Sequence, residues 1–233
     1  MTTATQFGYA DLPRLLARLG GDEKHDRTAL STLDVLWVLY DRVLAVRPDR
    51  LDDPERDRFL LSKGHSPKAY YAVLAAKGFL RPEQLDGWTG FASALGGHPD
   101  RTLIPAAEIA SGSLGHGLPL GVGTALGLRA QHRRGPRVVV LVGDGELDEG
   151  SNHEAIALAG RLGLDRLTVV VVDNSSATHG WPGGIATRFV VEDWATRTVP
   201  GHDHDALHEA LTSEHPGRPL AVVATTEPAR RSA

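Results

Sequence analysis

Asp144 and Asn174 are two oxygen-bearing residues whose types and spacing could do chemistry. Asp144 stands inside GDG (143–145), directly after the apolar run RVVVLV. Asn174 stands inside VVDNSS (171–176), directly after the run LTVVVV. Continuous β-branched runs of this kind read as strands of a parallel sheet covered on both faces. The two residues are 174 − 144 = 30 positions apart, and the interval holds a helical segment, roughly 150–162, with Ile156, Ala159 and Leu162 on one side. The unit is therefore β-α-β, its crossover is right-handed, and both strands end on the same edge of the sheet. Ligands of open α/β sheets bind at that edge. A carboxylate and a carboxamide there are hard oxygen donors, suited to Mg²⁺ or Ca²⁺. Gly143 and Gly145 let a backbone approach a bulky anion closely, and the helix that begins near Gly150 adds the field of its N-terminus. Either cluster alone is ordinary turn chemistry at a strand end. The two together, in the right strand context, read as a metal–diphosphate site.

The chain also carries 11 histidines. His65 and His98 lie in glycine-flanked loops, SKGHS and GGHP, whereas His132, His208 and His215 lie in polar helical or loop contexts and read as surface residues. Cysteine is absent, which excludes disulfides, thiolate catalysis and cysteine-based metal sites. The net charge of −4 gives no electrostatic case for nucleic acid or an anionic membrane. Hydrophobic content of 41% and charged content of 23% are ordinary for a soluble globular protein. No window approaches the ~18 apolar residues of a membrane span. The N-terminus MTTATQFGYA has no basic and apolar signal region, so a cytoplasmic protein is expected.

The elements that must position these residues follow from periodicity. Helices are expected over 29–44, 66–80, 118–130 and in ALHEALTSE, with a short one in RPEQLDGW opening at Pro82. The stretch 96–117 is a long irregular loop, too apolar to be merely solvated. The helix after it is rich in glycine and can pack closely on another backbone. RPLAVVATT (218–226) is a further strand. Helices alternating with buried strands predict an α/β fold, a doubly wound and mostly parallel sheet with helices on both faces. No strand-associated GxGxxG points to a dinucleotide.

At this point the sequence resembles the thiamine-diphosphate enzymes, and more narrowly the N-terminal, diphosphate-binding half of a transketolase. The resemblance runs from about His25 to Thr226. It rests on HDRTALSTLDVLWVLY (25–40), DRFLLSKGH (57–65), GGHP (96–99), SGSLGHG (111–117), GDGELDEG (143–150), VVDNSS and GHDHDAL (201–207), in the family's order. It implies that Asp144, Asn174 and the backbone carbonyl of Ser176 hold Mg²⁺, with Ca²⁺ as the substitute. Gly143 and Gly145 would face the diphosphate, and Gly112 and Leu114 the aminopyrimidine. His65 and His98 would flank the thiazolium and the substrate's first carbons, His25 would also point at the substrate, and Glu149 would sit at a subunit interface. The sequence departs from the family pattern in places. Asp26-Arg27-Thr28 follow His25 where the family has glycines, His116 replaces a Gln, and His179 stands where an Asp is common. After AVVATT the chain reads EPARRSA, without the family's late histidine.

The resemblance implies a single thiamine-diphosphate domain over residues 1–233 with an N-terminal helical extension. Whole transketolases carry a second domain with the Glu that activates the aminopyrimidine, and this chain is expected to lack one. The expectation is the N-terminal subunit of a split transketolase. It would move a two-carbon ketol unit from a ketose or ketose phosphate to an aldose. Its partner would be a C-terminal subunit carrying the pyrimidine-binding domain, in an α₂β₂ heterotetramer. The rival readings are another thiamine-diphosphate enzyme, such as a deoxyxylulose-phosphate synthase-like or 2-oxo acid dehydrogenase-like subunit, and a non-catalytic scaffold subunit. The set SKGH, GGHP and SLGHG favours transketolase.

Overall fold

The computed structural model describes residues 7–20, 23–177 and 179–226, with side chains given outside 23–30. Its centre is a five-stranded sheet in the order β1-β2-β3-β5-β4, formed by Arg58–Leu61, Val138–Gly143, Leu167–Asp173, Leu220–Thr225 and Ala195–Pro200 respectively. Every pairing is parallel. Successive residues of a strand point to opposite faces, so each strand supplies two cores. Phe59, Leu61, Val139, Leu141, Val170, Val172 and Val222 join one cluster with α1 (Leu12–Arg18), α2 (Glu23–Val38), α3 (Pro67–Ala76) and α7 (His204–Thr212). Leu60, Val138, Val140, Val142, Val169, Val171 and Val223 join the other with α4 (Gly117–Ala130), α5 (Gly150–Arg161) and α6 (Ile185–Val190). The sheet is doubly wound, as the alternation of elements predicts.

Several elements differ from the sequence expectation, among them the short helices α1 and α6, which it does not mark. Strand β1 is the four-residue piece RFLL, too short for its period to show ahead of the SKGH loop. Strand β4 lies on the sheet edge, is mostly solvent-facing and ends in Pro200, so it lacks the apolar run of a central strand. The first long helix spans Glu23–Val38 rather than 29–44, and a π-type turn over Leu39–Val43 carries the apolar run onward.

Helix α4 sets the position of the loop before it. A Cβ on Gly121 would run into the Val140 side chain, and one on Gly117 into Ser62. The two glycines therefore let α4 lie directly on β1 and β2, which brings residues 111–117 to the carboxyl ends of those strands. The closely packed partner is the strand layer.

Candidate functional site

The β2–β3 register pairs Gly143 with Val172, so Asp144 and Asn174 leave the sheet side by side. Both are buried, at 2% and 8% exposure. Each β-α-β crossover delivers its strand end to the same edge, which is why two residues far apart in sequence meet. The Asp144 carboxylate accepts hydrogen bonds from the Ser176 backbone N–H at 2.6 Å, the Ser176 hydroxyl at 2.6 Å and the Ala177 N–H at 3.0 Å. These bonds fold the loop after β3 back over β2. The Asn174 carboxamide oxygen is buried and has no hydrogen-bond partner among the described residues. Leaving such an acceptor bare in a folded interior costs about 1–3 kcal/mol. The Ser176 carbonyl oxygen stands near Gly145, 3.6 Å from where a Cβ would be.

These donors fit a hard divalent cation. The Asp144 carboxylate is negative, the Asn174 oxygen is unsatisfied, and the Ser176 carbonyl is adjacent. Among the described residues no three His, Asp or Glu side chains gather into a metal site. A metal here would have one carboxylate, one carboxamide and one carbonyl, leaving positions for water and phosphate oxygens in the manner of Mg²⁺.

The histidine loops meet at the same edge. His98 Nδ1 lies 2.9 Å from the Gly64 carbonyl oxygen. A carbonyl can only accept, so Nδ1 carries the proton and Nε2 is left as the basic nitrogen. The His65 and His98 rings are 6.1 Å apart and nearly perpendicular, at 74°. Gly112 has φ +124°, and a Cβ there would come 3.1 Å from the His98 ring; a Cβ on Gly64 would come 2.9 Å from the Gly112 backbone. Glycine is thus required for the three loops to touch. Leu114 is 46% exposed at the rim. His116 lies at the N-cap of α4, and both it and His179 are exposed. His25 lies outside the residues whose side chains are described.

Two charged residues buried at the site were not picked out from sequence. Glu146 is buried at 3% exposure and joins three loops: its carboxylate accepts from the Ser62 hydroxyl, from Gly115 N–H at 2.9 Å and from Gly143 N–H at 3.3 Å. Its backbone carbonyl takes the Asn152 amide at 2.6 Å, and Ser62 in turn accepts Gly117 N–H at 2.9 Å. Burial pushes the Glu146 carboxyl up from its ordinary value, and the donors around it oppose that. Lys63 is buried beside it, and burial pulls its ammonium down, against the opposing pull of Asp144 and Glu146. The available signal was placement: each is a charged residue inside a glycine motif that adjoins an apolar strand.

The family model described as "Transketolase, thiamine diphosphate binding domain" matches residues 20–227. A protein named "Ferredoxin fas2" from Rhodococcoides fascians is 61% identical over 221 residues, covering 95% of this chain and 73% of that protein. Cysteines, the usual ligands of iron–sulfur clusters, are absent here. A protein named as a subunit of an apulose-4-phosphate transketolase, from Actinobacillus succinogenes, is 35% identical over 209 residues, covering 87% of this chain and 75% of that protein. The transketolase structure from Leishmania mexicana superposes with a TM-score of 0.73 at 25% identity, covering 92% of this chain. This chain spans 36% of that one.

Proposed function

The chain belongs to the family of transketolase thiamine-diphosphate-binding domains, and on that premise we propose that it is the N-terminal subunit of a two-component transketolase. One observation carries the reading. The unsatisfied Asn174 oxygen sits beside Asp144 on the sheet edge where the His65, His98 and Gly112 loops also end. That arrangement supports a cation and an organic cofactor sharing a single site. The split is supported by relatives that are named as transketolase subunits and are largely covered by this chain.

In this reading Asp144, Asn174 and the Ser176 carbonyl hold Mg²⁺, or Ca²⁺ in its place, and Gly143 and Gly145 present their backbone to the diphosphate. Gly112 and Leu114 line the aminopyrimidine. When bound, thiamine diphosphate supplies the nucleophilic carbon and the electron sink for breaking and remaking the C–C bond beside a ketose carbonyl. The chain's own contribution is positioning and proton movement. His98, with Nδ1 fixed by the Gly64 carbonyl, takes and returns a proton at Nε2 from a substrate hydroxyl. His65 works from the perpendicular ring beside it, and His25 is assigned to the same task. Histidine is the side chain that most often takes and returns protons in this way.

The donor is a ketose or ketose phosphate and the acceptor an aldose. The partner is a subunit carrying the pyrimidine-binding domain, in a cytoplasmic heterotetramer with two copies of each. Among the described residues no helix is long and apolar enough to cross a membrane. The chain acts as one diphosphate-binding domain with an N-terminal helical extension. The test is calorimetry of thiamine diphosphate with Mg²⁺ on the complex, paired with a ketol-transfer assay. A scaffold subunit binds no cofactor, and a different thiamine enzyme binds it without ketol transfer.

A further inference from the structure

Lys63 has a buried stem and an ammonium that the hydrogen bonding of the site leaves over. It is 7% exposed. Its stem runs across Gly143, where a Cβ would lie 3.5 Å from its Cγ and Cε and 3.6 Å from its Cδ. The charges that face it are Asp144 and Glu146, yet among the described residues no carboxylate pairs with it at ion-pair distance. Neither acid has need of it. Asp144 already accepts three hydrogen bonds from Ser176 and Ala177. Glu146 already accepts three from Ser62, Gly115 and Gly143.

The stem is buried, but the Nζ is not among the sealed, unpartnered polar atoms, so the charge is left at the open side of the site, where a ligand can meet it. The charge balance says which sign and size of ligand. Asp144, Glu146 and Lys63 sum to −1 + −1 + 1 = −1 at the floor of the site. A divalent cation raises this to +1. Without the lysine the same floor would be neutral, with nothing left over for a polyanion. We propose that Lys63 is a cofactor-binding residue whose ammonium pairs with the diphosphate of thiamine diphosphate, alongside the metal. This rests on the functional reading above. It adds a direct protein cation to a subsite otherwise made of glycine backbone and metal.

The competing account is that Lys63 merely offsets the two acids from a distance. The experiment uses the full chain with Mg²⁺ and its partner subunit. It measures the Kd of thiamine diphosphate and of thiamine, which has no phosphate. Lys63→Met is expected to weaken thiamine diphosphate on the order of tenfold or more, the worth of a hydrogen bond to a charged group. It should leave thiamine within about twofold. Lys63→Arg should recover most of the loss, and the midpoint of thermal unfolding without cofactor should not fall in Lys63→Met. The double variant Lys63→Met/Glu146→Gln should bind thiamine diphosphate no better than Lys63→Met. Equal losses for both ligands, unchanged binding of thiamine diphosphate, or restoration in the double variant would each overturn the assignment. Failure of the wild-type complex to bind thiamine diphosphate would instead overturn the functional reading itself, and this inference with it.

Discussion

Removing the Asn174 carboxamide should separate binding from folding. Its oxygen is buried without a partner, so Asn174→Ala removes an unsatisfied acceptor and leaves the Asp144 bonds to Ser176 and Ala177 in place. The stability without cofactor is expected to stay within a few tenths of a kcal/mol of wild type or to rise. Mg²⁺-dependent binding of thiamine diphosphate in the complex is expected to be lost. Asp144→Ala should abolish binding as well, and should also loosen the 174–177 loop, since three hydrogen bonds end on its carboxylate. Calorimetry that showed unchanged cofactor affinity in the Asp144 variant would remove the metal assignment. His98→Ala and His65→Ala should lower kcat by about 10²–10⁴-fold with a smaller effect on cofactor affinity, the range of a general acid–base group. Rates within about threefold of wild type for both would make the rings structural. Asp144, His65 and His98 were legible because each stands in a short glycine-flanked motif, and Asn174 because it directly ends a continuous apolar run. Glu146 and Lys63 were not, because their roles depend on contacts between loops brought together only by the sheet: Ser62 and Glu146 are 84 positions apart.

Helix α4 is where packing and site geometry are the same thing. Gly121 lies against Val140 and Gly117 against Ser62. Gly121→Ala would force a methyl into the buried Val140 side chain. The cost of such overpacking is about 1–3 kcal/mol, read as a lower denaturant midpoint with an unchanged slope. Gly117→Ala acts on Ser62, whose hydroxyl serves Glu146 and Gly117 together, so it should weaken cofactor binding more than its loss of stability explains. If the two variants lose affinity only in proportion to stability, the loop is not held by α4. The glycine content of this helix was visible in the sequence, as were β2 and β3, whose continuous valine runs are covered on both faces. Strand β1 was hidden by its length, and β4 by its edge position, where alternation with solvent-facing Thr and Arg replaces an apolar run. The boundaries of α2 could not be read because apolar spacing fixes a helix face and not its first turn.

At the scale of the whole molecule, the residues assigned to metal, diphosphate and proton transfer line one edge of one sheet. A cofactor lying on that edge is held on one side. Between residue 91 and the start of α4 the chain exposes large apolar groups: Phe91 in full, Leu103 at 55%, Leu114 at 46% and Leu120 at 39%. Exposed apolar surface of this kind is an ordinary mark of a partner surface. If the pyrimidine-domain subunit supplies the second wall, cofactor binding and assembly are linked, since each strengthens the other by the same factor. The purified chain with Mg²⁺ and thiamine diphosphate should then transfer no ketol group and bind the cofactor weakly. Adding the partner should restore both, with a light-scattering mass equal to two copies of each subunit. Phe91 and Leu103 test the surface separately from the chemistry. Replacing both by Ser removes no internal packing from the exposed Phe91 ring, so the isolated chain should keep its unfolding midpoint. Loss of such anchors typically costs about 2 kcal/mol or more in association, about 30-fold in Kd. Cofactor affinity measured at fixed partner concentration should fall with it and recover as partner is added. Ketol transfer by this polypeptide alone, or a Phe91→Ser/Leu103→Ser variant that assembles and binds like wild type, would place the second wall elsewhere.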